Sequence, residues 1–192
     1  YKLKTWRLPQ GGRTSKGKAV VNILPIPTGV SIAAIMPVDI PEEDWENVQI
    51  IFATSAGDVR RNALSDFTNV RANGKIAMDL PDNVALVNAR IATQDDDVML
   101  VTKSGRAIRF STNAVRVFKG RKSTGVRGVR LTGDDCVVSM SILRHFEASS
   151  DERAAYLKMR RAVAGMVDDE GAGTEDEEVS ANATISPERY AE

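Results

Sequence analysis

The strongest constraint on the fold of this chain is an internal repeat of about 50 residues. The runs VQIIFATSAGDVRRNALSDF and DVMLVTKSGRAIRFSTNAV each place an apolar β-rich segment, a small-residue turn and a second short segment in series. Thr54 in the first run matches Thr102 in the second, 48 positions later. Glycine at a fixed place in such a turn suits a tight two-stranded hairpin, where a positive φ is needed. Both runs are therefore predicted to be β-hairpins, with Gly57 and Gly105 in their turns.

A second pattern follows each hairpin and places glycine next to basic residues. It reads NVRANGKIAMDL up to Leu80 and KSTGVRGVRL up to Leu131. Near the start of the chain, RTSKGKAVVNI reads as a third copy, in which Gly17 stands where Gly74 stands in the next. Each unit then ends in an apolar run predicted to be a strand: SIAAIMPV, ALVNARIA or VVSMSILRHF. Four short strands in a unit of this length are typical of a propeller blade or a related array of β-blades.

The composition changes where the repeats end. Ser149 and Glu152 form a capping-box pattern ahead of strong helix formers, which predicts a helix. The acidic run beyond it has few large apolar side chains, which predicts disorder. The predicted organisation is an all-β, propeller-like array of about two and a half four-stranded blades over residues 1–146, a helical insertion over 147–167, an acidic flexible linker over 168–185 and the start of a truncated helix over 186–192.

Charge is divided unevenly along the chain. The whole sequence has 26 Lys and Arg against 26 Asp and Glu. Residues 1–145 carry 21 of these cations against 14 of the anions, whereas residues 146–192 carry 5 against 12. A basic body followed by an acidic tail is typical of proteins that meet nucleic acid or another polyanion. On charge alone, an evenly solvated surface with an acidic linker stays an alternative.

No motif predicts an active site. Gly12–Lys18 fit seven positions of the phosphate-binding loop G-x-x-x-x-G-K-[ST], but Ala19 lacks the hydroxyl that would bind magnesium, and a β-type run follows. His145 is the single histidine and Cys136 the single cysteine, which excludes a multi-histidine metal site and a cysteine-based zinc site within the chain. The acidic groups, among them residues 95–97, fall in predicted turns and read as solvated side chains.

Basic side chains recur at matching places in the repeats, and this recurrence is the strongest functional signal. Repeating units place equivalent residues at equivalent points, so these cations are expected to line one rim as a stripe facing a phosphate backbone. Aromatic residues make up 5% of the chain and are not interleaved with the cations, which favours duplex DNA over single strands. The alternative is that the cations only keep exposed strands soluble and protect sheet edges. The predicted DNA-binding residues are Arg13, Lys16, Lys18, Arg60, Arg61, Arg71, Lys75, Arg109, Arg121, Lys122, Arg127 and Arg130.

Two long runs resemble successive blades of the C-terminal domain in the DNA gyrase A subunit. They are IIFATSAGDVRRNALSDFTNVRANGKIAMDL and DVMLVTKSGRAIRFSTNAVRVFKGRKSTGVRGVRL. The resemblance implies a β-pinwheel, a propeller-like disc of four-stranded blades whose basic rim binds and wraps duplex DNA. In that family, wrapping lets the enzyme introduce negative supercoils with ATP. The family's Gln-Arg-Arg-Gly-Gly-Lys-Gly wrapping box does not occur in this sequence.

The resemblance also implies partners and surroundings. The expected partners are duplex DNA, the gyrase B subunit, and a second copy of the A subunit. The expected location is the bacterial cytoplasm at the nucleoid, with no membrane contact. No cofactor is expected in this part of the protein, since ATP and magnesium would be bound elsewhere in the parent complex, and neither a cleavage tyrosine nor an ATPase site is expected here. Two alternatives stay open, namely the C-terminal domain in the A subunit of topoisomerase IV and a non-catalytic propeller scaffold that binds protein partners.

Overall fold

The computed structural model of the chain describes residues 1–27, 29–120 and 122–163. One predicted DNA-binding residue, Arg121, and the predicted segments 168–185 and 186–192 lie outside these described residues. The chain divides into two compact units, Tyr1–His145 and Phe146–Glu192.

Antiparallel β-strands form the framework of the first unit. In chain order the strands are β1 (Gln49–Thr54), β2 (Asp58–Ala63), β3 (Leu86–Ala92), β4 (Asp96–Thr102), β5 (Ala107–Ser111), β6 (Val126–Arg127) and β7 (Val137–Arg144). Short 3-10 helices lie at Thr5–Arg7, Val20–Asn22, Glu42–Asn47, Leu64–Phe67 and Thr112–Ala114. Both predicted hairpins are present, β1 with β2 and β4 with β5, and their turn glycines Gly57 and Gly105 have φ of 89° and 84°.

The strands form two sheets, of order β3-β1-β2-β6 and β5-β4-β7. In each sheet the apolar strand that ends the repeat, β3 or β7, pairs with the first strand of its own hairpin. Strand β6 behaves differently, because it follows the second hairpin along the chain but pairs with β2 of the first, with Val59 opposite Val126 and Asp58 opposite Arg127. The second repeat therefore supplies the fourth strand to the sheet of the first.

Two glycines allow β6 to approach β2 closely. Gly125 has φ of 113°, and a Cβ added to it would lie 2.3 Å from the carbonyl oxygen of Val59. A Cβ added to Gly128 would lie 2.5 Å from Val59 Cγ2. Real Cβ atoms do not come so near, so both positions require glycine for steric reasons. The two glycines of the KSTGVRGVRL pattern are thus needed for β6, the strand that the second repeat exchanges into the first sheet, to pack against β2.

One hydrophobic cluster joins strands of both sheets. Branched residues suit strands that are buried on a pleated surface, and they supply most of its side chains. Removing such side chains from water is the dominant favourable contribution to folding. The buried members are Ile51, Ala53, Val59, Ala92, Val98, Leu100, Val115, Val137 and Met140.

The structure corrects the prediction of a strand over residues 31–38. Their sequence, SIAAIMPV, resembles those of β3 and β7, yet the first strand among the described residues begins at Gln49. The reason lies in the pairing, because β3 and β7 each pair with the first strand of a hairpin that precedes them. No hairpin precedes residues 31–38 in the described part of the chain, so their backbone groups have no such partner.

The second unit contains helix α1, Ser150–Val163. The predicted capping box is present: the amide of Glu152 donates to Ser149 Oγ (3.2 Å), and the amide of Ser149 donates to Glu152 Oε2 (2.9 Å). Asp151 and Glu152 lie in the first turn and Arg160 and Arg161 in the last, as the helix dipole favours.

Candidate nucleic-acid interface

The predicted DNA-binding residues divide into three groups by their exposure. Arg60 and Arg61 are buried, with 0% and 4% of their surface exposed. Lys75 is half-buried, and its ammonium donates to the backbone carbonyl of Asp66 and lies 5.7 Å from the ring centre of Phe67. The exposed group contains Arg13, Lys16, Lys18, Arg71, Arg109, Lys122, Arg127 and Arg130.

Arg60 was predicted to lie on the rim, and the structure places it inside instead. Its guanidinium donates from Nε to Asn62 Oδ1 (2.8 Å), from Nη1 to the carbonyl of Ser123 (2.7 Å) and from Nη2 to the carbonyl of Gly120. Gly120 and Ser123, which precede β6, accept from this guanidinium through their carbonyls, so the side chain faces protein rather than solvent. Burial lowers the pKa of Arg60 below its usual range, while the nearby carboxylate of Asp66 acts to raise it.

Arg61 is likewise buried, although it too was predicted to lie on the rim. Its Nη1 donates to the carbonyls of Thr112 (2.8 Å) and Val115 (3.1 Å) and to Asn113 Oδ1 (3.2 Å), all in the second repeat. Its Nη2 donates to Gln49 Oε1 (3.2 Å) on the neighbouring strand. Burial lowers the pKa of Arg61 as well. The side chain therefore holds two repeats together rather than facing a ligand.

Arg109 occupies the position equivalent to Arg61 on a strand that no further described strand covers. It matches Arg61 at an offset of 48, and it stands on β5, which has β4 as its one neighbour in the sheet among the described residues. Its side chain is 54% exposed, and its Nε lies 3.5 Å from the carboxylate of Asp97. Asp97 was expected to be a solvated turn residue, but it lies on β4 and is buried. His145 Nδ1 lies 2.9 Å from the other oxygen of Asp97. Asp97 thus faces two basic side chains, and that of Arg109 stays accessible to solvent.

Three equivalent turns carry seven of the eight exposed residues that were predicted to bind DNA, the exception being Arg109. We call residues 11–18 the first basic turn, residues 71–75 the second and residues 119–130 the third. Their equivalent glycines, Gly17, Gly74 and Gly125, have φ of 69°, 85° and 113°. The glycine equivalence predicted from sequence is therefore present in the backbone, and each turn carries at least one exposed basic side chain within three residues of its glycine.

The third basic turn is the best defined of the three. Asn62 fixes the residue just before this turn, because its Nδ2 donates to the carbonyl of Phe118 (2.7 Å). Within the turn, the amide of Gly125 donates to Ser123 Oγ (3.1 Å). Arg127 stands opposite Asp58, and burial raises the pKa of Asp58 while the charge of Arg127 lowers it. The exposed cations of this turn, within its described residues, are Lys119, Lys122, Arg127 and Arg130.

Two further cations belong with this surface and were not among the predicted site residues. Lys119 is exposed in the third basic turn, and Arg116 is exposed just before it, with its guanidinium carbon 4.2 Å from the ring centre of Phe118. Both belong to the basic run RVFKGRK, so their density along the chain was the available signal. The sequence did not show where these cations lie relative to β6, because that depends on the pairing of β6 with a strand of the first repeat.

The burial of Arg61 gives a stability prediction. Replacing Arg61 with methionine is expected to lower the free energy of unfolding by about 3 kcal/mol, because buried carbonyls of Thr112 and Val115 lose their donor. Urea unfolding followed by circular dichroism measures this. Arg71→Met is the matched control at an exposed position and should change the value by less than about 0.5 kcal/mol. Equal losses in the two variants would contradict the role given to Arg61.

Residues 1–27, 29–120 and 122–163 include no helix that is long and apolar enough to cross a membrane. The same residues include no group of three or more His, Cys, Asp and Glu side chains placed to hold a metal ion.

Comparison with known proteins connects the fold to a family. The family model described as DNA gyrase C-terminal domain, beta-propeller, matches residues 1–39, 49–93 and 96–144. The chain is 46% identical to the DNA gyrase A subunit of Granulibacter bethesdensis over 201 aligned positions, covering 100% of this chain and 21% of that protein. It is 42% identical to the DNA gyrase A subunit of Rickettsia bellii, covering 83% of this chain and 18% of that protein.

A solved structure supports the same assignment. The crystal structure of the C-terminal domain of DNA topoisomerase IV superposes with a TM-score of 0.59 at 25% identity, covering 67% of this chain and 39% of that one. The chain spans about a fifth of the length of the curated relatives named above. Repeats, hairpins, equivalent glycines and family model agree, and the chain therefore belongs to the family of DNA gyrase C-terminal, β-propeller domains.

Proposed function

We propose that this chain binds duplex DNA without sequence preference, through phosphate contacts made by the exposed cations of the three basic turns. The observation that carries the proposal is that each of three turns, marked by an equivalent positive-φ glycine, carries exposed lysine or arginine side chains. Exposed cations suit contact with the phosphates of a duplex, and phosphate contacts carry no sequence information. Because Arg60 and Arg61 are buried, they are left out of the proposed contact set.

Within its parent protein, we propose that the chain wraps DNA as part of the A subunit of a gyrase that introduces negative supercoils. The support is family membership together with relatives that are named as A subunits of DNA gyrase. In this proposal the B subunit, together with a second copy of the A subunit, completes the enzyme. ATP and magnesium are bound outside this chain, and the enzyme acts in the bacterial cytoplasm at the nucleoid. The role of this chain is to hold DNA.

Salt dependence tests the proposed DNA contact. Affinity for a random-sequence duplex should fall steeply between about 50 and 200 mM salt, with a slope of log affinity against log salt near −0.9 for each phosphate contacted. Fluorescence anisotropy with a labelled duplex measures this slope, and a second duplex of unrelated sequence should give the same affinity. Binding no better than that of an acid-rich control protein would reject the proposal and favour a scaffold for protein partners.

The structural likeness to the C-terminal domain of DNA topoisomerase IV leaves the A subunit of that enzyme as a second candidate for the protein to which this chain belongs. A wrapping assay on this chain alone tests the role proposed for it in gyrase. A nicked plasmid that is closed by ligase while wrapped around the chain retains a change in linking number, whereas a plasmid that is only contacted does not. We expect a change that grows with protein concentration. Duplex binding without any such change would leave DNA binding in place and reject the wrapping role.

A further inference from the structure

The buried guanidinium of Arg60 contacts the third basic turn at two points of its backbone. Nη1 donates to the carbonyl of Ser123 (2.7 Å) and Nη2 donates to the carbonyl of Gly120. The guanidinium carbon also lies 4.8 Å from the ring centre of Phe118, at the start of the turn. A planar guanidinium presents its donors in a fixed fork, so two carbonyls held by one fork are fixed relative to each other. Arg60 therefore fixes the backbone shape of this turn through hydrogen bonds from the protein interior.

The hairpin that carries Arg60 does not itself require an arginine there. The equivalent residue of the second hairpin, 48 positions later, is Ile108, and β4 and β5 pair normally around it. Ile108 is 39% exposed, because β5 has no second neighbour in its sheet within the described part of the chain, whereas Arg60 is covered. A fully buried cation is unfavourable unless its hydrogen bonds are satisfied. The distinguishing partners of Arg60 are the carbonyls of the third basic turn.

A neighbouring side chain, that of Asn62, completes this support. Asn62 accepts from Arg60 Nε (2.8 Å) and donates both to the carbonyl of Phe118 (2.7 Å) and to Asp66 Oδ2 (3.2 Å). Arg60 and Asn62 of β2 therefore reach the backbone of the next repeat at residues 118, 120 and 123. Lys119 and Lys122 lie between these anchored points and are exposed.

We infer that Arg60 is a positioning residue for DNA binding, which acts from the first repeat to fix the third basic turn so that Lys119 and Lys122 face the duplex. This inference rests on the proposed function and adds that one contact surface is built by two repeats. A turn held in its binding shape before DNA arrives loses less conformational freedom on binding, which increases affinity. Arg60 itself does not touch DNA.

The test keeps the net charge constant. Arg60→Lys retains the positive charge but cannot bridge the two carbonyls as a planar fork does. Arg90→Lys makes the same chemical change at an exposed position on β3 and is the matched control. Limited trypsin digestion reports the turn without DNA, since trypsin cleaves after Lys119 and Lys122. Cleavage after Lys103, in the β4–β5 turn, serves as the internal reference.

We expect Arg60→Lys to increase the cleavage rate after Lys119 and Lys122 by about tenfold relative to cleavage after Lys103, because local opening is easier. Affinity for duplex DNA should fall by about three- to tenfold, while Arg90→Lys changes neither quantity. Unchanged cleavage in Arg60→Lys overturns the inference. Increased cleavage with DNA affinity equal to that of Arg90→Lys also overturns it, because the shape of the turn would then not matter for binding.

A second variant covers the case in which Arg60→Lys does not fold, as judged by circular dichroism. Asn62→Ala leaves the guanidinium in place but removes the acceptor for Nε and the donor to Phe118. The same two changes are expected, and the absence of either overturns the inference. Failure of the proposed function itself is recognised separately, because charge reversal in the third basic turn would then leave DNA affinity unchanged.

Discussion

Reversing Lys122, Arg127 and Arg130 to glutamate is expected to reduce the affinity for duplex DNA by about 100-fold at 0.1 M salt. Each phosphate contact adds about 0.9 to the magnitude of the salt slope, so the slope should fall by about 2.7. All three side chains are exposed and outside the core, so the unfolding transition should move little. Anisotropy titrations at several salt concentrations and urea unfolding of the same preparations measure both quantities.

A matched control separates the place of the charges from their number. Arg90, Lys103 and Arg144 are also exposed, and they lie outside the three basic turns. Reversing these three to glutamate changes the net charge by the same amount. We expect a reduction in affinity several-fold smaller than that of the turn variant, owing only to the weaker overall field. Equal reductions would show that net charge alone governs binding, and the assigned surface would be wrong.

The largest effect on stability is expected at Gly125. Gly125→Ala should lower the free energy of unfolding by about 3 kcal/mol or more, because its φ of 113° is unfavourable for any side chain and the new Cβ would lie 2.3 Å from a backbone oxygen. The blocking atom belongs to the main chain of Val59, so no change of rotamer can relieve the overlap. Urea unfolding of the purified chain measures the loss.

Alanine substitutions at two further glycines are expected to give progressively smaller losses of stability. Gly133 has φ of 59°, but an added Cβ would meet nothing within 4 Å, so Gly133→Ala adds backbone strain alone and should cost about 1 to 2 kcal/mol. Gly120 has no such φ, and a Cβ there would also meet nothing within 4 Å, so Gly120→Ala should change stability by less than about 1 kcal/mol. Similar losses at all three positions would contradict the close approach of β6 to β2.

Local patterns predicted the features of the fold that depend on short stretches of chain. The turns around Gly57 and Gly105 and the equivalence of Gly17, Gly74 and Gly125 depend on a few neighbouring residues, and all five glycines have positive φ. The family followed from the same runs, because their turn and strand residues recur at a regular interval.

Long-range pairing could not be predicted in this way. Arg60 and Arg61 read as rim cations because arginine is rarely buried. Their burial results from a strand and a turn some 50 to 65 positions later in the chain, which no local pattern reveals. One signal was present, since Ile108 at the position equivalent to Arg60 shows that this place in the hairpin accepts an apolar side chain. The strand predicted over residues 31–38 was wrong for a similar reason, since its pairing depends on a hairpin elsewhere.

The exchange of β6 also determines when the first sheet can be finished during synthesis. β2 ends at Ala63, whereas the strand that covers its edge ends at Arg127, 64 residues later. At ribosomal rates of roughly 5 to 20 residues per second, the edge of β2 waits for about 3 to 13 seconds after it is made. During this interval its unpaired backbone groups are available to other nascent chains. The polar sequence Asp58-Val59-Arg60-Arg61-Asn62 places charge on that edge and so opposes association between polypeptides emerging from neighbouring ribosomes.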